Sequence, residues 1–243
     1  MSRVKWDAPA DKEYRTGVSH GVLYVKAATG ETQEGDAGYL AGVAWVGLTA
    51  VNQAPSGAEA TPLYADNDKY LNLISNEDFA FTIEAYTYPD EFAVCNGEQE
   101  VMTTGSSPAG TGMYITAQPR REFAFCYRTE VGDGNNVALD TNADYELHIV
   151  YNCTAAPSDE GYSTINDSPD AITMSWEVNT VPMAVTGYAK KTAHIRIRKT
   201  SANATKVATL ENSLYGTDGQ GSVTGTNAKM LTPAEIIAIM TAA

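Results

Sequence analysis

Apolar and polar side chains alternate along most of this chain, and the alternation predicts strands. Over residues 79–88, Phe79, Phe81, Ile83 and Ala85 fall on one face while Thr82, Glu84 and Tyr86 fall on the other, the period-two pattern of a half-buried strand. Residues 122–131 repeat it, with Phe123, Phe125, Tyr127 and Thr129 opposed to Glu122, Ala124, Cys126, Arg128 and Glu130. Residues 145–153 set Tyr145, Leu147, Ile149 and Tyr151 against Glu146, His148 and Asn152. Ile172, Met174, Trp176 and Val178 form the buried side of a fourth strand. In a fifth, His194, Arg196 and Arg198 are the polar side and Ile195 and Ile197 the inner one. Residues 20–27 and 42–48 are shorter candidates. The pattern predicts a mainly β domain of antiparallel strands, a β-sandwich or partly closed barrel.

Helical spacing appears late. Ala204, Val207, Leu210 and Leu214 recur at helical intervals before Gly216 offers a stop, so one helix over 203–215 is expected to flank the sheet. Thr232-Pro233-Ala234-Glu235 reads as a capping box with Pro at the first helical position, opening a short apolar turn through Ile236, Ile237, Ile239 and Met240 that has to dock on something. Gly-, Ser- and Thr-rich loops are expected over 28–38, 103–111, 154–170 and 216–226. No composition break divides the 243 residues, so one domain is expected over 1–243, with an N-terminal arm of about 1–18 and a C-terminal arm of about 217–243.

Composition narrows the function. Thirty Asp and Glu against sixteen Lys and Arg leave a formal charge of −14, which disfavours adhesion to phosphates or anionic lipid. The charge is also segregated. Residues 59–100 hold ten acids and the single base Lys69, whereas residues 178–210 hold six bases and no acid. Such blocks are either ordinary solvated faces or complementary patches that meet between subunits. The polar N-terminus lacks the apolar stretch of a secretory signal, so a cytoplasmic origin is expected, and no apolar run is long enough to span a membrane.

Enzymatic signatures are missing. His20, His148 and His194 are isolated in sequence and read as surface or satisfied structural histidines. Cys95, Cys126 and Cys153 are odd in number, lack metal-site spacing, and read as small buried residues. There is no nucleophile elbow, phosphate-binding loop or dinucleotide fingerprint. Asp66, Asp68, Asp90 and Glu91 are the carboxylates a glycoside hydrolase would need, although pairs of this kind are common in acidic loops. Asp133-Gly134-Asn135 lacks the alternation and closing Glu of a calcium loop and reads as a turn. No catalytic residue, metal or cofactor is expected.

Two blocks resemble the major tail tube proteins of long-tailed, non-contractile phages of Gram-positive and actinobacterial hosts. The first is Tyr64-Ala-Asp-Asn-Asp-Lys-Tyr70, followed by Phe81-Thr-Ile-Glu-Ala-Tyr86 and Tyr88-Pro-Asp-Glu-Phe92. The second runs from Phe125-Cys-Tyr-Arg128 through Tyr145-Glu-Leu-His-Ile-Val-Tyr-Asn152, Ala155-Ala-Pro-Ser158 and Tyr162-Ser-Thr-Ile-Asn-Asp-Ser-Pro169 to Ile172-Thr-Met-Ser-Trp-Glu-Val178. Leu210-Glu-Asn-Ser-Leu-Tyr-Gly-Thr217 looks like the family's closing helix. The resemblance covers about 64–217, with 103–118 as a variable insertion, and no separate immunoglobulin-like decoration is expected after Thr217.

The resemblance implies a virion protein whose hexameric rings stack into a tail tube, the conduit for DNA. Its implied partners are copies of itself, the tape measure protein, the tail terminator and the distal tail protein, with DNA passing transiently and no membrane contact. Assembly would take place in the host cytoplasm. Under this reading Glu84, Glu77 and Asp78 are candidates to face the lumen, where an acidic wall would keep DNA from sticking. Asp66, Asp68, Arg196, Arg198 and Lys199 are candidates for contacts between subunits, and 28–38 or 103–118 for bridges between rings. The alternatives are a tube or ring protein of a related phage-derived particle, a terminator or distal adaptor ring, a carbohydrate-binding β-sandwich module with an exposed aromatic shelf, and an enzyme with convergent titratable groups.

Overall fold

In the computed structural model, which describes residues 12–102, 110–133, 144–162, 164, 171–219 and 224–242, the alternation becomes a succession of antiparallel strands. In chain order these are β1 (Tyr14–Val25), β2 (Val43–Trp45), β3 (Leu48–Gln53), β4 (Ser56–Gly57), β5 (Ala60–Ala65), β6 (Asp68–Ile74), β7 (Glu77–Asp78) and β8 (Ala80–Ala85). The short helix α1 (Ala93–Asn96) follows, then β9 (Gln99–Met102), β10 (Gly110–Ile115), β11 (Phe123–Gly132), β12 (Asp144–Ala155), β13 (Met174–Thr180) and β14 (His194–Lys199). Two helices, α2 (Ala204–Tyr215) and α3 (Pro233–Thr241), complete the described chain.

The main sheet runs β2-β1-β11-β12-β13-β8-β3, with β14 on β12 as well. Strand β12 pairs with β11 along one edge and serves two neighbours along the other: Tyr145 to Val150 pair with β14, and Cys153 to Ala155 pair with β13. The terminal strands β2 and β3 are consecutive in the chain, joined through Gly47 at φ +87°, a left-handed turn that lets the sheet curl back on itself. The fold is mainly β and sandwich-like, without a fully closed barrel, as the alternation predicts.

Two cores lie on opposite faces of β1, β11 and β12. One is aromatic and fills the curl, with Trp45, Phe81, Phe92, Phe123, Phe125 and Trp176 buried. Trp45 and Trp176 pack edge-on at 5.7 Å, and Phe92 sits 4.6 Å from Trp45 and 5.3 Å from Trp176. Both indole N–H groups are satisfied, Trp45 Nε1 donating to the Thr87 carbonyl at 2.9 Å and Trp176 Nε1 to Asn96 Oδ1 at 3.1 Å. The other core sets Tyr24, Cys126, Leu147, Ile149 and Tyr151 under Val207, Leu210 and Leu214 of α2 and Ile236 of α3.

Residues 123–127 are consequently buried on both faces, where the sequence pattern predicts a half-buried strand. In β8 and β13 the expected alternation holds: Phe81, Ile83, Ala85, Trp176 and Val178 are buried and their neighbours are not.

Helix α2 starts after Asn203 and ends at Gly216, φ +77°, within a residue of its predicted bounds. Helix α3 carries the complete capping box: Thr232 Oγ1 accepts from the Glu235 backbone and Glu235 Oε2 accepts from Thr232 N at 2.7 Å. Two helices rather than one thus flank the sheet. The segment expected as a C-terminal arm lies, over 224–242, against the body of its own chain. There Met230 and Leu231 are buried and the Leu231 carbonyl accepts from the Tyr151 hydroxyl at 2.8 Å. Of the expected N-terminal arm, residues 1–11 lie outside the described residues and 14–18 begin β1.

Candidate assembly surfaces

Neighbouring strands β3 and β8 are not joined by a short turn. Between them the chain leaves the sheet as an arm, with the β4–β7 pair at its root (Ser56 opposite Asp78, Gly57 opposite Glu77) and the β5–β6 hairpin beyond. At the tip, Asp66 and Asn67 both adopt left-handed backbone, φ 51° and 64°, the turn that matches the twist of paired strands. At the root, Gly57 has φ +87°, and a Cβ there would overlap the Asn76 carbonyl oxygen. Every residue from 52 to 78 is exposed.

The arm nonetheless carries Leu63, Tyr64, Tyr70, Leu71, Leu73 and Ile74, with Tyr64 and Tyr70 each 71% exposed and Ile74 64%. Leu63 faces Leu71 and Thr61 faces Leu73 across the hairpin, yet β5 and β6 pair only with each other. A two-stranded ribbon with a bare apolar surface is marginal in water, and such surfaces mark sites of association. A second hairpin, β9–β10, exposes Met113, Tyr114 and Ile115 in the same manner.

A groove of about 730 Å³ lies where the arm root meets residues 181–194. Glu77, Asp78 and Phe79 line it from the root, and Val181, Lys190, Lys191 and His194 from the body.

Beside the groove, the first and last residues of the arm stems hold a histidine pair. His148 Nδ1 lies 3.0 Å from His194 Nε2 and 3.3 Å from Gln53 Nε2, at the end of β3. His148 Nε2 lies 3.1 Å from Thr129 Oγ1. The rings are stacked in series: Tyr127 on His148 at 4.6 Å, and His194 on Phe79 at 4.4 Å. Burial pushes both imidazoles down to about 4. For His148 the Glu146 charge opposes the shift, and for His194 the His148 and Arg196 charges add to it. Both rings are neutral at pH 7. Next to them Glu146, 2% exposed, takes both Arg15 nitrogens at 2.9 and 3.0 Å and lies 3.6 Å from Arg196. Burial opposes its charge, but the Arg15 hydrogen bonds and the two guanidinium charges outweigh it, leaving the carboxyl below its ordinary value.

The residues singled out from sequence separate onto distinct surfaces. Glu84 is half-buried on the open face of β8, accepts from Asn52 Nδ2 at 3.1 Å, and shares that face with Glu177 of β13. Glu77 and Asp78 line the groove instead. Asp66 and Asp68 sit at the arm tip, where Asp68 Oδ1 accepts from Lys69 N at 2.7 Å. The basic strand is engaged within its own chain. Arg196 reaches Glu146, Arg198 pairs with Asp144 at 3.1 Å and with Glu13, and Lys199 lies 5.2 Å from the Tyr145 ring. Loop 28–38 is tied down by the Glu31–Arg121 pair at 3.0 Å and by Asn227 on Glu34 at 2.8 Å. Residues 103–109 of the expected 103–118 insertion, and the Gly134-Asn135 turn, fall outside the described residues.

The apolar arm, the Lys190 and Lys191 wall and the histidine pair escape a reading by periodicity. The Asp66-Asn67 turn signal between two alternating runs is the one local clue to the hairpin. Among the described residues no three His, Cys, Asp or Glu side chains gather as a metal site, and no helix is long and apolar enough to cross a membrane. The three cysteines are free and buried, as expected.

No protein-family model and no curated protein matches the chain. Among solved structures it is similar to a chain of the anti-feeding prophage baseplate, determined by cryo-electron microscopy with six-fold symmetry. The identity is 7%, covering 75% of this chain and 95% of that one, with a TM-score of 0.34. A likeness this loose carries no weight for function.

Proposed function

We propose that this chain is a structural subunit of a phage tail tube, assembled as rings of six copies that stack into a conduit for DNA, and that it is not an enzyme. The observation that carries the reading is the arm of residues 54–78, an exposed ribbon whose apolar side chains cover no surface among the described residues. A heterologous contact of this kind propagates from copy to copy. The ordered motifs over 64–217 that resemble the tail tube family support the same reading. So does the open face bearing Glu84 and Glu177, suited to line a bore that phosphates do not adhere to. Tape measure, terminator and distal tail proteins are the partners this role requires, and the virion tail its place.

Sedimentation velocity across a concentration series, with negative-stain microscopy of the same samples, tests the proposal. Rings or tubes are expected at high concentration, with Glu84 facing the bore in a reconstruction. A chain that stays monomeric throughout overturns it.

A further inference from the structure

We propose that the groove between the arm root and residues 181–194 is the receptor for the arm tip of a second copy, with Asp66 and Asp68 of the incoming turn set against Lys190 and Lys191. This rests on the self-association reading above and names its contact.

The argument begins with which charges are spent. Arg196 and Arg198 have acidic partners in their own chain, whereas Lys190 and Lys191 have no salt bridge among the described residues. The same holds for Asp66, Asp68 and Lys69 at the tip, and for Glu77 and Asp78 on the opposite wall of the groove. Tip and groove therefore each present both signs. Two acids beside one lysine meet two lysines facing two acids, so one insertion places Asp66 and Asp68 on the lysine wall and Lys69 on the Glu77 and Asp78 wall. Complementarity of mixed sign fixes orientation, which a single-sign patch does not.

Apolar surface matches as well. Tyr64 and Tyr70 flank the turn and are exposed, while Phe79 and Val181, the latter 59% exposed, line the groove. A volume of about 730 Å³ is of the size that accepts a turn and its flanking side chains.

The occupant comes from another copy. The six-residue strand β5 separates tip from root by about 20 Å of extended chain, so the turn cannot reach the groove at its own base. Donor and receptor are then different surfaces of one chain, and every copy that inserts its tip offers its own groove to the next.

Charge reversal tests the pairing in the full chain, with circular dichroism and thermal melts confirming that each variant is folded. D66K/D68K and K190E/K191E are each expected to raise the concentration needed for assembly at least tenfold in sedimentation velocity. The combined variant D66K/D68K/K190E/K191E is expected to regain assembly, because the reversed tip then meets a reversed groove. A companion variant, Tyr64→Ser with Tyr70→Ser and Leu73→Ser, removes the apolar arm surface. If K190E/K191E assembles like the wild type while that arm variant does not, the groove assignment is overturned and the self-association reading stands. Loss in both reversals without regain in the combination also overturns the assignment. A wild-type chain that never assembles overturns the reading itself.

Discussion

His148 Nδ1 lies 3.0 Å from His194 Nε2 and 3.3 Å from Gln53 Nε2, between the two stems of the arm. A proton placed on that nitrogen makes it a donor and sets it against the Gln53 amide N–H. The pair thereby touches Gln53, the last residue of β3 before the arm leaves the sheet.

Stability is expected to fall with acid in a defined window. In the unfolded chain each imidazole takes up its proton near 6.5, whereas in the fold both are held to about 4. Between these values the unfolded state binds more protons, so stability declines as pH falls from about 6.5 to about 4, by on the order of 3 kcal/mol for each ring. Glu146, with its lowered carboxyl, adds a loss of the same sign further into acid. Urea midpoints measured across pH 4 to 7 check this, and His148→Gln should flatten the slope.

Removing the charge of Glu146 should be costly although the residue sits at a polar end of the sheet. Glu146→Gln leaves Arg15 without its bidentate partner and Arg196 without its counter-charge. Because both arginines keep access to water, the expected cost is about 1–3 kcal/mol in equilibrium denaturation. An unchanged midpoint would show that the pair contributes nothing.

Core and arm substitutions should part company. Trp176→Ala empties the centre of the aromatic cluster and is expected to destabilise by about 3–5 kcal/mol. Tyr70→Ser on the arm is expected to leave the melting temperature within the scatter of surface changes while weakening association. Melting curves paired with sedimentation separate the two effects.

The thiols should be silent in the native state. Burial pushes Cys95 up to about 12 and raises Cys126 and Cys153 as well, leaving no thiolate to react at pH 8. Titration with an aromatic disulfide is expected to find no fast thiol in the folded protein and three in guanidinium; a fast native thiol would contradict the packing.

What could be read beforehand was what local chemistry decides. Phe81, Ile83, Trp176 and Val178 face inward because period two is a property of the strand itself, and Asn203, Gly216 and Thr232 mark helix ends through their own backbone preferences. Glu146 and His148 read as a solvated face, yet they are buried. The partner that makes this tolerable for Glu146, Arg15, lies 131 residues away in the chain, and no window of sequence contains both. The partners of the basic strand are equally distant in the chain, since the acids that meet Arg196 and Arg198 come from β12 and from Glu13. Leu63, Leu73 and Ile74 follow a strand's pattern but cover no core among the described residues, because their hairpin has left the sheet.

No buried side chain of the body comes from residues 52–78. Beyond Gln53 and the Gly57 turn, the packing of the body therefore does not depend on which side chains the ribbon carries. Under the assembly contact proposed above, recognition can be redesigned at the tip while the scaffold is kept intact, so that chains sharing one architecture become mutually exclusive in the copies they accept.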